Sequence, residues 1–273
     1  MPELKVNGLR TNYQLLPGTA GADPWLANET VVFIHGMGTD SLASFYLTLA
    51  PPVAAAGIDV ISYDLRGHGR SERPVSGYTL PDFVADLDEL LHALAATHPV
   101  HLVGNSFGGT IAYSYAAAHP NRVRSVVSIE SEPPTDSWAR KMAGILAATT
   151  QLLEVEENYE WIEATFGAHH RRLARLAGTR FTSTTMADEV ATGAMMTAAD
   201  VAAITCPVLS ILGRHGYQSD DLDVVTALMP RAEVFVFDDQ GHSVLVERHR
   251  AVRGLLVDWI RKHAAAPDQP VSP

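Results

Sequence analysis

The chain has 273 residues, 47 % hydrophobic and 19 % charged, the balance of a folded globular protein rather than of a disordered one. That length carries one large α/β domain or a core domain with an inserted lid. A formal net charge of −11 argues against nucleic acid or an anionic membrane surface as partner, and the absence of a long apolar run or a signal-like start makes a cytoplasmic protein the expectation.

Taken in order, residues 4–16 alternate polar and apolar side chains around Asn7-Gly8, which predicts an opening hairpin. Residues 17–28 read as loop and 31–34 as a compact apolar strand, followed at once by His35-Gly36-Met37-Gly38. A helix is expected over 41–56, broken at Pro51-Pro52. Residues 58–63 form the next strand, and the polar turn Asp64-Leu-Arg-Gly-His-Gly-Arg-Ser71 follows it. Between 80 and 96, Phe83, Leu87, Leu90, Leu91 and Leu94 fall on one helical face.

Residues 100–103 read as a short buried strand and 110–118 as a helix rich in small side chains. Between them Gly104-Asn105-Ser106-Phe107-Gly108 fits G-x-S-x-G, the sharp strand-to-helix turn that carries a serine at its tip. The glycines are needed because the turn leaves no room for side chains, and the central residue is strained. The Ser106 hydroxyl then points outward as a candidate nucleophile. The Phe107 N–H faces the same space from the positive end of the helix. A strand over 123–129 ends at Glu130, and Ser131-Glu132-Pro133-Pro134 stops regular structure.

From 137 to about 197 the pattern is helical without a clear strand, which predicts a lid inserted into a sheet domain. Cys206, the one cysteine, precedes the strand at 208–212 and reads as a buried structural thiol. A last strand is expected over 233–237. Then come the loop Asp239-Gln240-Gly241-His242, an amphipathic helix over 249–263 and a frayed tail. The expected division is therefore a core over 1–134 and 201–264, a helical cap over 135–200 and a flexible tail over 265–273. Strands alternating with helices imply a mostly parallel sheet, at whose carboxyl ends Met37, Ser106, Glu130 and His242 gather. No metal-ligand spacing and no cofactor motif is present.

These residues give the chain a resemblance to the α/β-hydrolase superfamily over nearly its whole length. It rests on His35-Gly36-Met37-Gly38, Asp64 to Ser71, Gly104 to Gly109, Ala118-His-Pro-Asn-Arg-Val123 and Gly241-His242. The resemblance implies an eight-stranded α/β core with helices on both faces, an inserted helical cap and a triad of nucleophile, acid and histidine. In that triad Ser106 and His242 are two members, and the backbone N–H groups of Met37 and Phe107 form an oxyanion hole. His68 is then a packing residue.

One position departs from the family pattern. Most relatives carry the acid in a G-x-x-D arrangement after the strand at 208–212, where this chain reads Gly213-Arg214-His215-Gly216. Glu130 is the better candidate, with Asp220, Asp221 and Glu132 as alternatives. Some haloalkane dehalogenases and the zearalenone-type lactone hydrolases look similar in placing the acid there.

The expected reaction is cleavage of a carboxylic ester, lactone or thioester with an apolar acyl part through an acyl-enzyme on Ser106. The substrate is a small hydrophobic molecule, and Trp138, Met142, Trp161 and Met195 of the cap are candidate pocket residues. Other readings on the same scaffold are cofactor-free perhydrolase or oxygenase chemistry, carbon–carbon bond hydrolysis, and a ligand receptor with slow turnover. Haloalkane and epoxide chemistry is disfavoured by serine at the elbow. Oligomeric state is not legible.

Overall fold

The computed structural model describes residues 3–265. An eight-stranded sheet runs through it in the order β1-β2-β4-β3-β5-β6-β7-β8. The strands are β1 (Glu3–Val6), β2 (Leu9–Leu16), β3 (Thr30–Ile34), β4 (Asp59–Tyr63), β5 (Val100–Asn105), β6 (Val123–Ile129), β7 (Val208–Gly213) and β8 (Ala232–Phe237). β1 pairs antiparallel with β2, and β2 with β4; every later pairing is parallel. The opening hairpin turns on Asn7 and Gly8, both at positive φ (48° and 81°), the two-residue turn that suits the twist of paired strands.

The helices are α1 (Ala43–Tyr46), α2 (Ala50–Ala55), α3 (Leu80–Ala93), α4 (Phe107–Ala118), α5 (Asp136–Leu153), α6 (Glu156–Phe166), α7 (Ala168–Ser183), α8 (Met186–Glu189), α9 (Ala198–Ala202), α10 (Leu222–Ala227), α11 (Val244–Glu247) and α12 (His249–His263). The helix expected over 41–56 is two helices. The break lies at 47–49, ahead of Pro51 and Pro52, which stand in the first turn of α2 where a missing N–H is harmless. α3 ends at Ala93, earlier than its apolar stripe, where Ala95 turns to φ 53°.

The sheet is apolar on both faces, and alternate residues separate into two cores. Val32, Ile34, Val100 and Leu102 pack with α3, α4 and the inserted helices. Val31, Phe33, Val103, Val127 and Ile129 pack with α2 and α12. Between β6 and β7 the chain leaves the sheet for α5 to α9, which contain no strand. α5 starts where Thr135 accepts a bond from the Trp138 N–H, directly after Pro133-Pro134. Residues 266–273, most of the expected tail, lie outside the described residues.

The sheet order reverses at β3, whose neighbours β4 and β5 lie on opposite sides. Such a switch point opens a crevice at the carboxyl ends of the strands, between the loops that follow β3 and β5. Among the described residues no helix is long and apolar enough to cross a membrane.

Candidate active site

Ser106 stands between β5 and α4 with φ 50° and ψ −120°, a conformation rarely adopted by a residue bearing a side chain. Its neighbours enforce the turn. A Cβ on Gly104 would overlap the Gly108 backbone, and one on Gly108 would overlap the backbone of Ile34 and His35. The Ser106 N–H is tied to the Ile129 carbonyl at 2.8 Å, which fixes the turn to β6. Phe107 opens α4, so its N–H has no acceptor one turn earlier in the helix.

Three side chains from three strand ends meet here. Ser106 Oγ lies 3.0 Å from His242 Nε2, and His242 Nδ1 lies 3.2 Å from Glu130 Oε2. A carboxylate only accepts, so the proton sits on Nδ1 and Nε2 is free to accept from the serine hydroxyl. The Glu130 side chain is 0 % exposed. Oε1 accepts from the Gly213 N–H, and Gln218 Nε2 stands 3.4 Å from Oε2. The buried carboxylate therefore has partners besides the imidazole, as a buried charge requires.

None of the other carboxylates weighed for that position bonds to His242. Asp220 is exposed, and Asp221 stands at the N-cap position of α10 with no side-chain bond to the helix or to His242. Glu132 accepts from the N–H and hydroxyl of Ser219 at 3.0 and 3.1 Å and meets Lys141 of α5.

The loop after β3 is held from four sides. His35 Nδ1–H donates to the Gly36 carbonyl at 2.6 Å, while His35 Nε2 accepts from the Leu65 N–H at 3.0 Å. Asp40 accepts from the Gly36 N–H at 2.7 Å, and His68 Nε2 accepts from the Gly38 N–H at 3.2 Å. Arg180 of α7 donates to the Gly38 carbonyl and, through Nε, to the Gly67 carbonyl at 2.6 Å. Burial lowers the Arg180 guanidinium to about 10, and nearby Arg73 adds to the effect.

A cavity of about 350 Å³ opens on this group and includes Met37, Ser106, Phe107, Glu130 and His242 in its wall. Of the four cap residues expected at the pocket, Trp138 and Met142 line this cavity. Trp161 and Met195 do not: Trp161 is 57 % exposed on α6, its ring edge-to-face with Phe166, and Met195 packs against the core. Helical spacing marks an apolar residue without telling which surface it meets, and α6 turns Trp161 to solvent.

Lys141, Tyr217, Gln218 and Arg180 escaped the sequence reading. Lys141 Nζ donates to the Tyr217 carbonyl at 2.6 Å, and the Tyr217 ring lies 5.2 Å from the His242 ring. Burial lowers the Lys141 ammonium to about 8, opposed by Asp221 and Glu130. Each of these residues acts across a long stretch of chain, and no local motif marks them. Cys206 is half-buried, its thiol pushed up to about 11 by burial. Among the described residues no group of three or more His, Cys, Asp or Glu is placed to hold a metal ion.

The model of the α/β hydrolase fold matches residues 29–153, from β3 through the elbow to the end of α5. The chain has the α/β-hydrolase fold. It is 35 % identical over 109 residues to a non-heme chloroperoxidase of Streptomyces lividans, which covers 38 % of this chain and 37 % of that protein's own length. It is 28 % identical to 2-hydroxymuconate semialdehyde hydrolase of a Pseudomonas species, over 97 % of this chain and 95 % of the relative. Among solved structures, Est816, described as an N-acyl homoserine lactone degrading enzyme, superposes with a TM-score of 0.72 at 24 % identity. That superposition covers 94 % of this chain and 100 % of the other. At that identity the likeness speaks for the fold.

Proposed function

We propose that this α/β hydrolase is a serine-dependent hydrolase of small carboxylic esters or lactones with an apolar acyl part. The observation that carries the reading is the unbroken hydrogen-bond line from Ser106 through His242 to Glu130, opening into an apolar cavity. In this mechanism the Ser106 oxygen attacks the substrate carbonyl carbon while His242 Nε2 takes the hydroxyl proton. Glu130 holds Nδ1–H, fixing the tautomer and stabilising the imidazolium. The carbonyl oxygen becomes an oxyanion and is met by the N–H groups of Met37 and Phe107, each worth about 3 kcal/mol of barrier. Collapse breaks the bond to the alcohol oxygen, which leaves with the proton from His242. Water then gives its proton to His242 and attacks the acyl-enzyme, releasing the carboxylic acid and restoring the serine.

Ester and lactone chemistry is favoured over carbon–carbon hydrolysis by the charge of the wall. Lys141 is paired with Glu132 and so is not free to receive a substrate carboxylate. The lactone-degrading activity named for Est816 is consistent with this choice.

The test is a panel of p-nitrophenyl esters and lactones together with a fluorophosphonate label. Wild type is expected to label at Ser106 and to turn over many times, and Ser106→Ala is expected to lose labelling and about 10³-fold or more in kcat. Labelling without turnover across the panel would replace this reading with that of a slow receptor.

A further inference from the structure

The cavity has a shape as well as a polarity. Trp138, Met142, Leu146 and Leu153 form one stripe of α5, spaced four, four and seven positions apart, and Ala177 and Phe181 of α7 face it. At ~1.5 Å per residue, the stripe from Trp138 to Leu153 is about 22 Å long. The same residues line a cavity of about 350 Å³ that also reaches Ser106 and His242. One end is fixed at the reacting serine, because the Trp138 ring stacks on that of Phe107 at 6.5 Å.

Ser106, His242, Tyr217 and the Lys141–Glu132 pair form the polar end. The leaving alcohol must take its proton from His242, so it departs on that polar side. The channel along α5 is left for the acyl group.

We propose that this apolar part of the cavity is an acyl slot that selects an unbranched aliphatic chain of about 8–12 carbons, since at ~30 Å³ per group the whole cavity holds at most about a dozen groups, the ester carbons at its polar end among them. The proposal rests on the ester or lactone reading and names its substrate class. Acyl branches near the carbonyl meet the Trp138 and Phe107 rings, and chains beyond the slot's capacity run into Leu153, which is buried at the far end. Short acyl groups react but leave most of the apolar wall unused, so their kcat/KM is low.

The experiment is a series of p-nitrophenyl esters from acetate to tetradecanoate, with fluorophosphonate labelling of Ser106 run in parallel. In wild type, kcat/KM is expected to rise at least tenfold from the acetate to an optimum between about 8 and 12 carbons, since each buried methylene in an apolar pocket carries discrimination. Two variants narrow the distal slot at the half-buried Thr149 and at Ala174, which also line it. In Thr149→Trp and Ala174→Phe the ratio of kcat/KM for the decanoate over the butyrate is expected to fall at least tenfold, with near-native circular dichroism. An optimum at two to four carbons, or an unchanged ratio in both folded variants, overturns the slot while leaving the hydrolase reading intact. Absence of both labelling and turnover overturns the two together.

Discussion

Glu130 and Gly216 occupy one place in space. A Cβ on Gly216 would overlap Glu130 Oε2 and Gln218 Nε2, so the glycine is the empty half of a position that the glutamate fills from the neighbouring strand. Most relatives, by the resemblance described above, carry their acid at the Gly216 position. Here the carboxylate comes from the end of β6, and an aspartate at 216 has no room while Glu130 is present. Glu130→Gln keeps the size but loses the charge that favours the imidazolium, and kcat is expected to fall roughly 10³–10⁴-fold with the fold intact by circular dichroism. Gly216→Asp alone is expected to lower activity through the clash. Glu130→Ala combined with Gly216→Asp is expected to recover at least tenfold over Glu130→Ala. Steady-state kinetics on one activated ester checks all three, and a double variant no faster than Glu130→Ala would refute the exchange.

At the scale of elements, the helices over the site are fastened to the core by few polar groups, of which Arg180 is the most buried. It is 4 % exposed on α7, and it binds two backbone carbonyls, one of them in the loop after β3 that also carries the Met37 N–H. Arg180→Ala leaves the Gly38 and Gly67 carbonyls without that donor and is expected to destabilise the protein by about 2–4 kcal/mol. Denaturant unfolding measures this. Because Gly38 follows Met37, whose N–H is proposed to meet the oxyanion, kcat is expected to fall more than KM rises, and Arg180→Lys is expected to restore part of it. A variant with native stability and kinetics would show the bond to be dispensable.

Such long-range ties explain what the sequence does and does not reveal. G-x-S-x-G is legible because the backbone permits only glycine at 104 and 108, so sterics write the motif into adjacent positions. Asn7-Gly8 is legible for the same local reason. Arg180 reaches carbonyls 113 and 142 residues away, and nothing near it in the chain announces that. Trp161 shows the opposite failure. Its spacing matches a wall residue, but a period fixes only which helix face is apolar, and α6 turns that residue to solvent.

Over the whole molecule, the crevice exists because the order of the strands reverses at β3, which leaves the loops after β3 and β5 side by side. One wall of that crevice is held by His68, a buried imidazole that bonds as the neutral form. His68 Nε2 accepts from the Gly38 N–H at 3.2 Å and Nδ1–H donates to the Arg66 carbonyl at 2.9 Å, so a second ring proton would face an N–H. Burial holds His68 well below its ordinary 6.5, with further repulsion from His35 and Arg180. His101 is lowered as well, by burial, although Glu29 beside it at 2.9 Å pulls the other way.

The sign follows from proton counting. As pH falls below about 6.5 the unfolded chain takes up a proton at each site that the folded chain refuses, so stability is lost on acidification. It is fully present above that pH, and the loss runs at ~1.4 kcal/mol per pH unit for His68 as long as its folded form stays neutral. Unfolding free energies measured between about pH 5 and about pH 7.5 are expected to fall toward acid. In His68→Gln, whose amide can make both bonds without titrating, the acid slope is expected to flatten by about one proton. An equal slope in wild type and variant would mean that His68 titrates as freely in the folded protein as in the unfolded chain, and the neutral tautomer would then not be what holds the loop.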